Sequence, residues 1–145
     1  MNDARNDARL PAAIDVFALA ARDTYARSVG IEIVEASLGR AVTQVRLEER
    51  HMNFNGVAHG GLTFTLADAA MGYASNSQGV MSPSIDSHIL YSVAVRAGDV
   101  MTATAVEISR SSKLSNYRID VVRGDGKLIA AMTGTTYITG KPVEA

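Results

Sequence analysis

The chain has 145 residues, 47% apolar and 20% charged, which fits one globular domain and excludes both a disordered chain and a coiled coil. Lys and Arg number 14 against 15 Asp and Glu, a formal charge of −1, so no basic excess argues for a nucleic-acid partner. There is no Cys, which removes disulfides, thiolate nucleophiles and Cys-ligated zinc in one step.

Residues 1–10 carry the duplicated tetrad Asn2-Asp3-Ala4-Arg5 and Asn6-Asp7-Ala8-Arg9 and read as a flexible N-terminus. The early apolar run Val16–Ala21 is too short to span a bilayer and follows no basic signal-peptide start, so a cytoplasmic protein with no membrane partner is expected. After Pro11, Ile14, Phe17, Ala18, Ala21 and Tyr25 recur at helical spacing, which predicts one helix with that stripe toward the core, ended near Gly30. Ile31–Glu35 and Ala41–Leu47 alternate at period two across a turn at Leu38-Gly39-Arg40 and read as two strands.

Met52–Ile85 differs in kind. A polar, glycine-bearing loop, Asn53–Gly61, leads into Leu62–Ala74, which is apolar on nearly every face and so must be wrapped on most sides by other structure. Ser87–Val95, Val100–Ser109, Leu114–Val122 and Leu128–Thr139 then read as a meander of about four strands, with turns at Gly98-Asp99 and Gly124-Asp125-Gly126. Gly124-Asp125-Gly126-Lys127 lacks the upstream glycine of a phosphate loop and is a hairpin turn. The predicted class is α+β: one long central helix wrapped by a curved antiparallel sheet of about six strands, plus an N-terminal helix. Residues 11–140 form the single domain and 141–145 a C-terminal tail.

Between Arg50 and Asp86 the only Asp, Glu, Lys or Arg is Asp68, in the middle of the apolar helix. An Asp on a helix commonly points to solvent or bonds a nearby backbone group. A lone carboxylate among apolar neighbours faces a desolvation cost, however, and the same burial raises its pKa toward the range of a general base. His59-Gly60-Gly61 stands where that helix should begin. Unpaired N–H groups and the positive end of the dipole gather there, and two glycines leave room for a ligand oxygen, or simply shape a tight turn. Asp68 lies about 12 Å along the helix from Gly60. The two cannot act on one atom within a single straight helix, which points to a dimer with composite sites.

Asn53 and Asn55 are weaker candidates for orienting a water or carbonyl. His51, His59 and His88 form no helical metal-binding pair, so no metal is assigned, and no G-x-S-x-G motif suggests a serine hydrolase. Arg110-Ser111-Ser112-Lys113 reads as a solvated turn that could also hold phosphates.

The stretch Asn53–Gly79 resembles the signature of hotdog-fold acyl-CoA thioesterases, most closely the phenylacetic-acid-degradation (PaaI-like) type. The motifs are HGG at His59–Gly61, LAD at Leu66–Asp68 and YASNSQG at Tyr73–Gly79. Ser84-Ile85-Asp86, Gly98-Asp99 and Thr102–Ala105 extend the likeness over roughly residues 30–137. The resemblance implies a hotdog subunit, homodimers whose sheets join, and commonly a homotetramer of two such dimers. It implies Asp68 as general base or nucleophile and the Gly60 N–H as the group that polarises the thioester carbonyl. Asn53 and His59 would hold the carbonyl and the loop, and Ser84 the attacking water. Gly61, Asn76, Arg110 and Lys113 are the expected substrate and coenzyme A contacts. The thioester is the substrate, and no cofactor is called for. Two positions depart from the pattern: Arg22 stands where some relatives carry an Asn, and Tyr91–Val95 where many carry an Arg-Pro pair. A hotdog hydratase or dehydratase and a non-catalytic acyl-CoA binding module are the competing readings.

Overall fold

The computed structural model describes residues 14–144, so the flexible segment expected at 1–10 lies outside the described residues. In chain order the elements are α1 (Val16–Ala21), α2 (Thr24–Ser28), β1 (Glu32–Ser37), β2 (Arg40–Arg46), a 3-10 turn (Glu49–His51), α3 (Gly60–Asn76), β3 (Ser84–Tyr91), β4 (Val100–Arg110), β5 (Leu114–Arg123) and β6 (Leu128–Tyr137). The strands form one antiparallel sheet in the order β1-β2-β4-β5-β6-β3. Helix α3 touches all six strands, so the sheet wraps around it. This is the hotdog arrangement that the resemblance implies.

The wrapping follows from strand alternation. Met101, Ala103 and Ala105 on β4, and Ser115, Tyr117, Ile119 and Val121 on β5, fall on the face toward α3 and are buried. Small residues let helix and sheet approach closely: Ala67, Ala70 and Ala74 on α3 meet a sheet surface that includes Ala41, Ala103 and Ala130. At Gly134 of β6 a Cβ would collide with the Met71 sulfur, so any side chain at this strand position has to push the Met71 side chain of α3 aside.

Two expectations need correcting. The N-terminal helix is broken in two at Arg22-Asp23, because the Asp23 carboxylate accepts the Ala26 N–H at 3.0 Å and starts α2 afresh. Asp15 does the same for α1 through Ala18 N–H at 3.2 Å. Each cap resets the helical phase. The buried residues are therefore Val16, Ala20 and Ala26, while Phe17 and Tyr25 of the expected stripe are 49% and 65% exposed.

The last four strands are not one meander either. β4, β5 and β6 are, but β3 crosses to the outer edge and pairs only with β6. It also starts earlier than expected, at Ser84, and stops at Tyr91. Beyond Tyr91 the chain turns away, with Ser92 N–H donating to Ile129 O at 2.8 Å and Val95 O accepting Ala58 N–H at 2.8 Å.

The C-terminal segment is pinned to the chain that follows α3. Met81 N–H donates to Lys141 O at 2.8 Å and Val143 N–H to Gly79 O at 2.9 Å, around a Val80–Pro142 bridge. No helix among the described residues is long and apolar enough to cross a membrane.

Candidate active site

Helix α3 is covered on all but one stripe. Leu62, Leu66, Ala67, Ala70, Met71 and Ala74 are buried, whereas Thr65, Asp68, Gly72 and Asn76, one turn apart, are only partly covered. The lone carboxylate of the segment lies on the one side of its helix that the sheet leaves open.

The start of α3 is held by a set of short bonds. His59 is the N-cap, and its Nδ1 accepts the Gly61 N–H at 2.9 Å. Because the ring folds over Gly61, a Cβ there would lie 2.9 Å from that nitrogen. The loop before it is closed by Asn53, whose N–H donates to Val57 O at 2.7 Å and whose Oδ1 accepts the Asn55 N–H at 2.8 Å. His51 supports the loop from below. It is buried, its Nδ1 accepts the Glu48 N–H at 2.9 Å, and its Nε2 therefore carries the proton it donates to Val29 O at 2.9 Å.

His59 thus takes the second N–H of the helix, and the Gly60 N–H has no acceptor among the described residues. Gly60 lines a cleft of about 340 Å³ with Val57, Thr63, Tyr91 and Val95. The Tyr91 hydroxyl donates to Gly60 O at 2.9 Å, and its ring carbon Cζ would be 3.3 Å from a Cβ at Gly60. A side chain at this position would therefore press on the tyrosine lying over it.

Asp68 opens into a different and larger cleft of about 590 Å³, formed with Leu19, Arg22, Asp23, Gly72 and Asn76. Its carboxylate makes no hydrogen bond or ion pair with the described residues. Burial, and then the nearby charge of Asp23, push its pKa above the usual carboxylate range. Asp23 itself is held by Tyr73, whose hydroxyl donates to Asp23 Oδ2 at 2.8 Å, and the Tyr73 pKa is raised by burial and by that bond.

The other expected residues lie elsewhere. The Asn76 side chain closes the end of α3, its Nδ2 donating to Gly72 O at 2.8 Å and its Oδ1 accepting the Ser82 N–H at 3.0 Å. Ser84 opens β3, exposed and opposite Thr136. Across the sheet Ser84, Thr136, Ser115 and Arg110 share one register row, which puts Ser84 and Arg110 about 14 Å apart at one end of the sheet. Arg110 is paired with Glu107 at 3.1 Å, and Lys113 is exposed in the β4–β5 turn. One chain therefore places the Gly60 start of α3 and Asp68 in two separate clefts and does not bring them together.

Sequence reasoning missed Asp23, Tyr73 and Tyr91. The signal that could have found Asp23 is its place just before α2, where its carboxylate caps the helix. Arg22 does line the Asp68 cleft, but its guanidinium is used on the backbone, donating to Glu144 O at 2.7 Å.

Residues 55–130 match the sequence profile of the thioesterase superfamily. Among curated proteins, the chain is 32% identical to acyl-coenzyme A thioesterase PaaI of Escherichia coli K12 over 118 residues, covering 81% of this chain and 84% of that one. The solved structure of the E. coli PaaI protein superposes with a TM-score of 0.85 at 31% identity, covering 88% and 92% of the two chains. A thioesterase protein from Streptococcus pneumoniae, solved with coenzyme A, superposes with a TM-score of 0.76 at 26% identity, covering 81% and 93%.

Proposed function

The chain belongs to the thioesterase superfamily, and from that premise we propose that it hydrolyses acyl-coenzyme A thioesters at a site completed by a second copy of itself. The observation that carries this reading is the separation of Asp68 and Gly60 into two clefts about 12 Å apart along α3. A two-fold related α3 running antiparallel would set the Asp68 of one copy beside the Gly60 of the other, an isologous arrangement. Edge strand β3 supports such pairing, since it pairs with β6 on one side only and presents Ile85, Leu90 and Tyr91 at 59%, 61% and 53% exposure.

In this arrangement the thioester carbonyl oxygen lies on the Gly60 N–H, which stabilises the oxyanion as the carbonyl carbon is attacked. Asp68 either takes a proton from the attacking water or attacks the carbon itself. Its raised pKa and the absence of a partner among the described residues suit both roles. With Asp68 as base, the proton it takes passes to the departing sulfur as the carbon–sulfur bond breaks, giving the carboxylic acid and the thiol of coenzyme A. With Asp68 as nucleophile, the sulfur leaves from a mixed anhydride on Asp68 and takes a proton from water. A second water then hydrolyses the anhydride to the carboxylic acid and free Asp68. Asn53 and His59 keep the loop and the helix start in place. Lys113, and Arg110 beside its Glu107 partner, are the cationic groups available to coenzyme A phosphates at the far end of the sheet. Ser84 at that end is the hydroxyl available to the water. The substrate is an aryl-acetyl or medium-chain acyl-CoA.

A hydratase would need His59 as a free base, but its Nδ1 is already the acceptor that caps α3. The test is thiol release across a panel of acyl-CoA esters by wild-type and Asp68→Asn protein. Turnover of at least one ester that collapses in the variant is expected. Equal turnover by both proteins would overturn the assignment.

A further inference from the structure

The Asp68 cleft runs in one direction. Asp68, Gly72 and Asn76 are spaced one turn apart on the open stripe of α3, so the floor extends about 12 Å from the carboxylate toward the helix C-terminus. One wall is Leu19, from α1. The other is built by the chain after α3 and by the C-terminal segment: Met81 and Val143 are clamped to each other's strands by the bonds Met81 N–H to Lys141 O, 2.8 Å, and Val143 N–H to Gly79 O, 2.9 Å. Arg22 reaches across and donates to Glu144 O at 2.7 Å, tying the two walls together. A Cβ built at Gly72 meets nothing within 4 Å, so the floor of the cleft is open one turn from the carboxylate. Glycine inside a helix costs about 1 kcal/mol relative to Ala. No helix packing at this position requires it, so the open space itself is what the glycine provides.

We propose that this cleft is the acyl-binding subsite, that an apolar acyl group of medium length lies over Gly72 between Leu19 and the Met81–Val143 wall, and that Gly72 and Val143 set the acyl size accepted. The inference rests on the thioesterase reading and deepens it. With the thioester carbon at Asp68, the acyl group has its apolar walls on this side, while the coenzyme leaves toward the second copy. The C-terminal segment is then a structural part of the pocket.

The test is kcat/KM for acetyl-, butyryl-, octanoyl- and phenylacetyl-CoA in wild type, Gly72→Val and Val143→Ala, with melting temperature and molecular mass checked for each. Gly72→Val should lower the octanoyl-to-acetyl ratio about tenfold or more, the scale at which one or two methylenes are discriminated in an apolar pocket. Val143→Ala lies outside the helix and should shift the optimum toward larger acyl groups, which keeps the proposal testable if Gly72→Val fails to fold. An unchanged acyl profile in folded variants, or an effect on molecular mass alone, would show that the cleft is not the acyl subsite and leave the thioesterase reading standing. No thiol release from any ester by the wild type would sink both.

Discussion

Asp68 and Gly60 lie on one helix and open into different clefts, the first lined by Arg22 and Asp23, the second by Tyr91 and Val95. A base and an oxyanion donor meant for one carbonyl carbon cannot be that far apart. Asp68 has no hydrogen-bond or ion-pair partner among the described residues, and the Gly60 carbonyl accepts from the Tyr91 hydroxyl at 2.9 Å. On the proposed reading, function requires two copies of the chain.

Replacing Asp68 with Asn keeps the shape and removes the proton acceptor, so kcat should fall about 10²–10⁴-fold on the best acyl-CoA. The same change should stabilise the fold. A raised pKa means the folded protein holds the proton more tightly than the unfolded chain, so ionised Asp68 costs stability once the pH rises through its folded value. Asp68→Asn should therefore melt above wild type at neutral pH, with the gap closing in acid. A calorimetric scan against pH checks this; a lower Tm at every pH would contradict it.

Asp23 raises the Asp68 pKa through its charge while holding Tyr73 at 2.8 Å. Asn caps a helix as well as Asp does, so Asp23→Asn should keep α2 while removing the charge. The acid limb of kcat/KM, set by ionisation of Asp68, should move to lower pH in this variant. A limb that stays where it is in wild type would mean that Asp23 acts only as a cap.

Glu107 gathers one end of the core. Its Oε2 accepts from Ser115 at 2.6 Å, Tyr117 at 2.7 Å, and Arg110 and Gln78 each at 3.1 Å. Burial would raise its pKa, but the bonds from Ser115, Tyr117 and Arg110 outweigh it and hold the carboxyl below its ordinary value. That contribution is present above the unfolded carboxylate pKa and is lost as pH falls through the lowered one. Glu107→Ala strands the buried Tyr117 hydroxyl, while Ser115 keeps its bond to Ser109 O at 3.3 Å, and should cost about 2 kcal/mol at neutral pH, or roughly 7 °C in Tm. A Tm within a degree or two of wild type would refute this.

Gly134→Ala should also destabilise, by about 1–3 kcal/mol, because the new methyl meets the fully buried Met71. Denaturant unfolding measures the change, and a neutral result would mean that Met71 can move aside freely.

The central helix and its carboxylate were legible because both are local signals: an apolar run, glycines at its start, and a single charge between Arg50 and Asp86. Strand positions β4 to β6 were legible from alternation and turn glycines. What escaped was long-range. Nothing in the Ser84–Tyr91 pattern says that this strand pairs with β6 at the sheet edge, because pairing is decided by crossover and packing. Tyr73 and Asp23 meet across 50 positions of sequence and Tyr91 and Gly60 across 31, so the second carboxylate of the cleft and the tyrosine over the glycine carried no local mark. The broken N-terminal helix is different. Asp15 and Asp23 each precede a short helix as its cap, a local signal that the single apolar stripe over residues 14–25 overrode.

The most direct test of a site shared between two copies mixes two inactive proteins. Asp68→Asn lacks the base, and Gly60→Val forces a side chain into the space Tyr91 occupies and blocks the oxyanion donor. Refolded together in equal amounts, half the dimers should be hybrids with one intact site each, giving about a quarter of wild-type thioesterase activity. A mixture no more active than its two components, with hybrid dimers shown to have formed, would contradict the shared site.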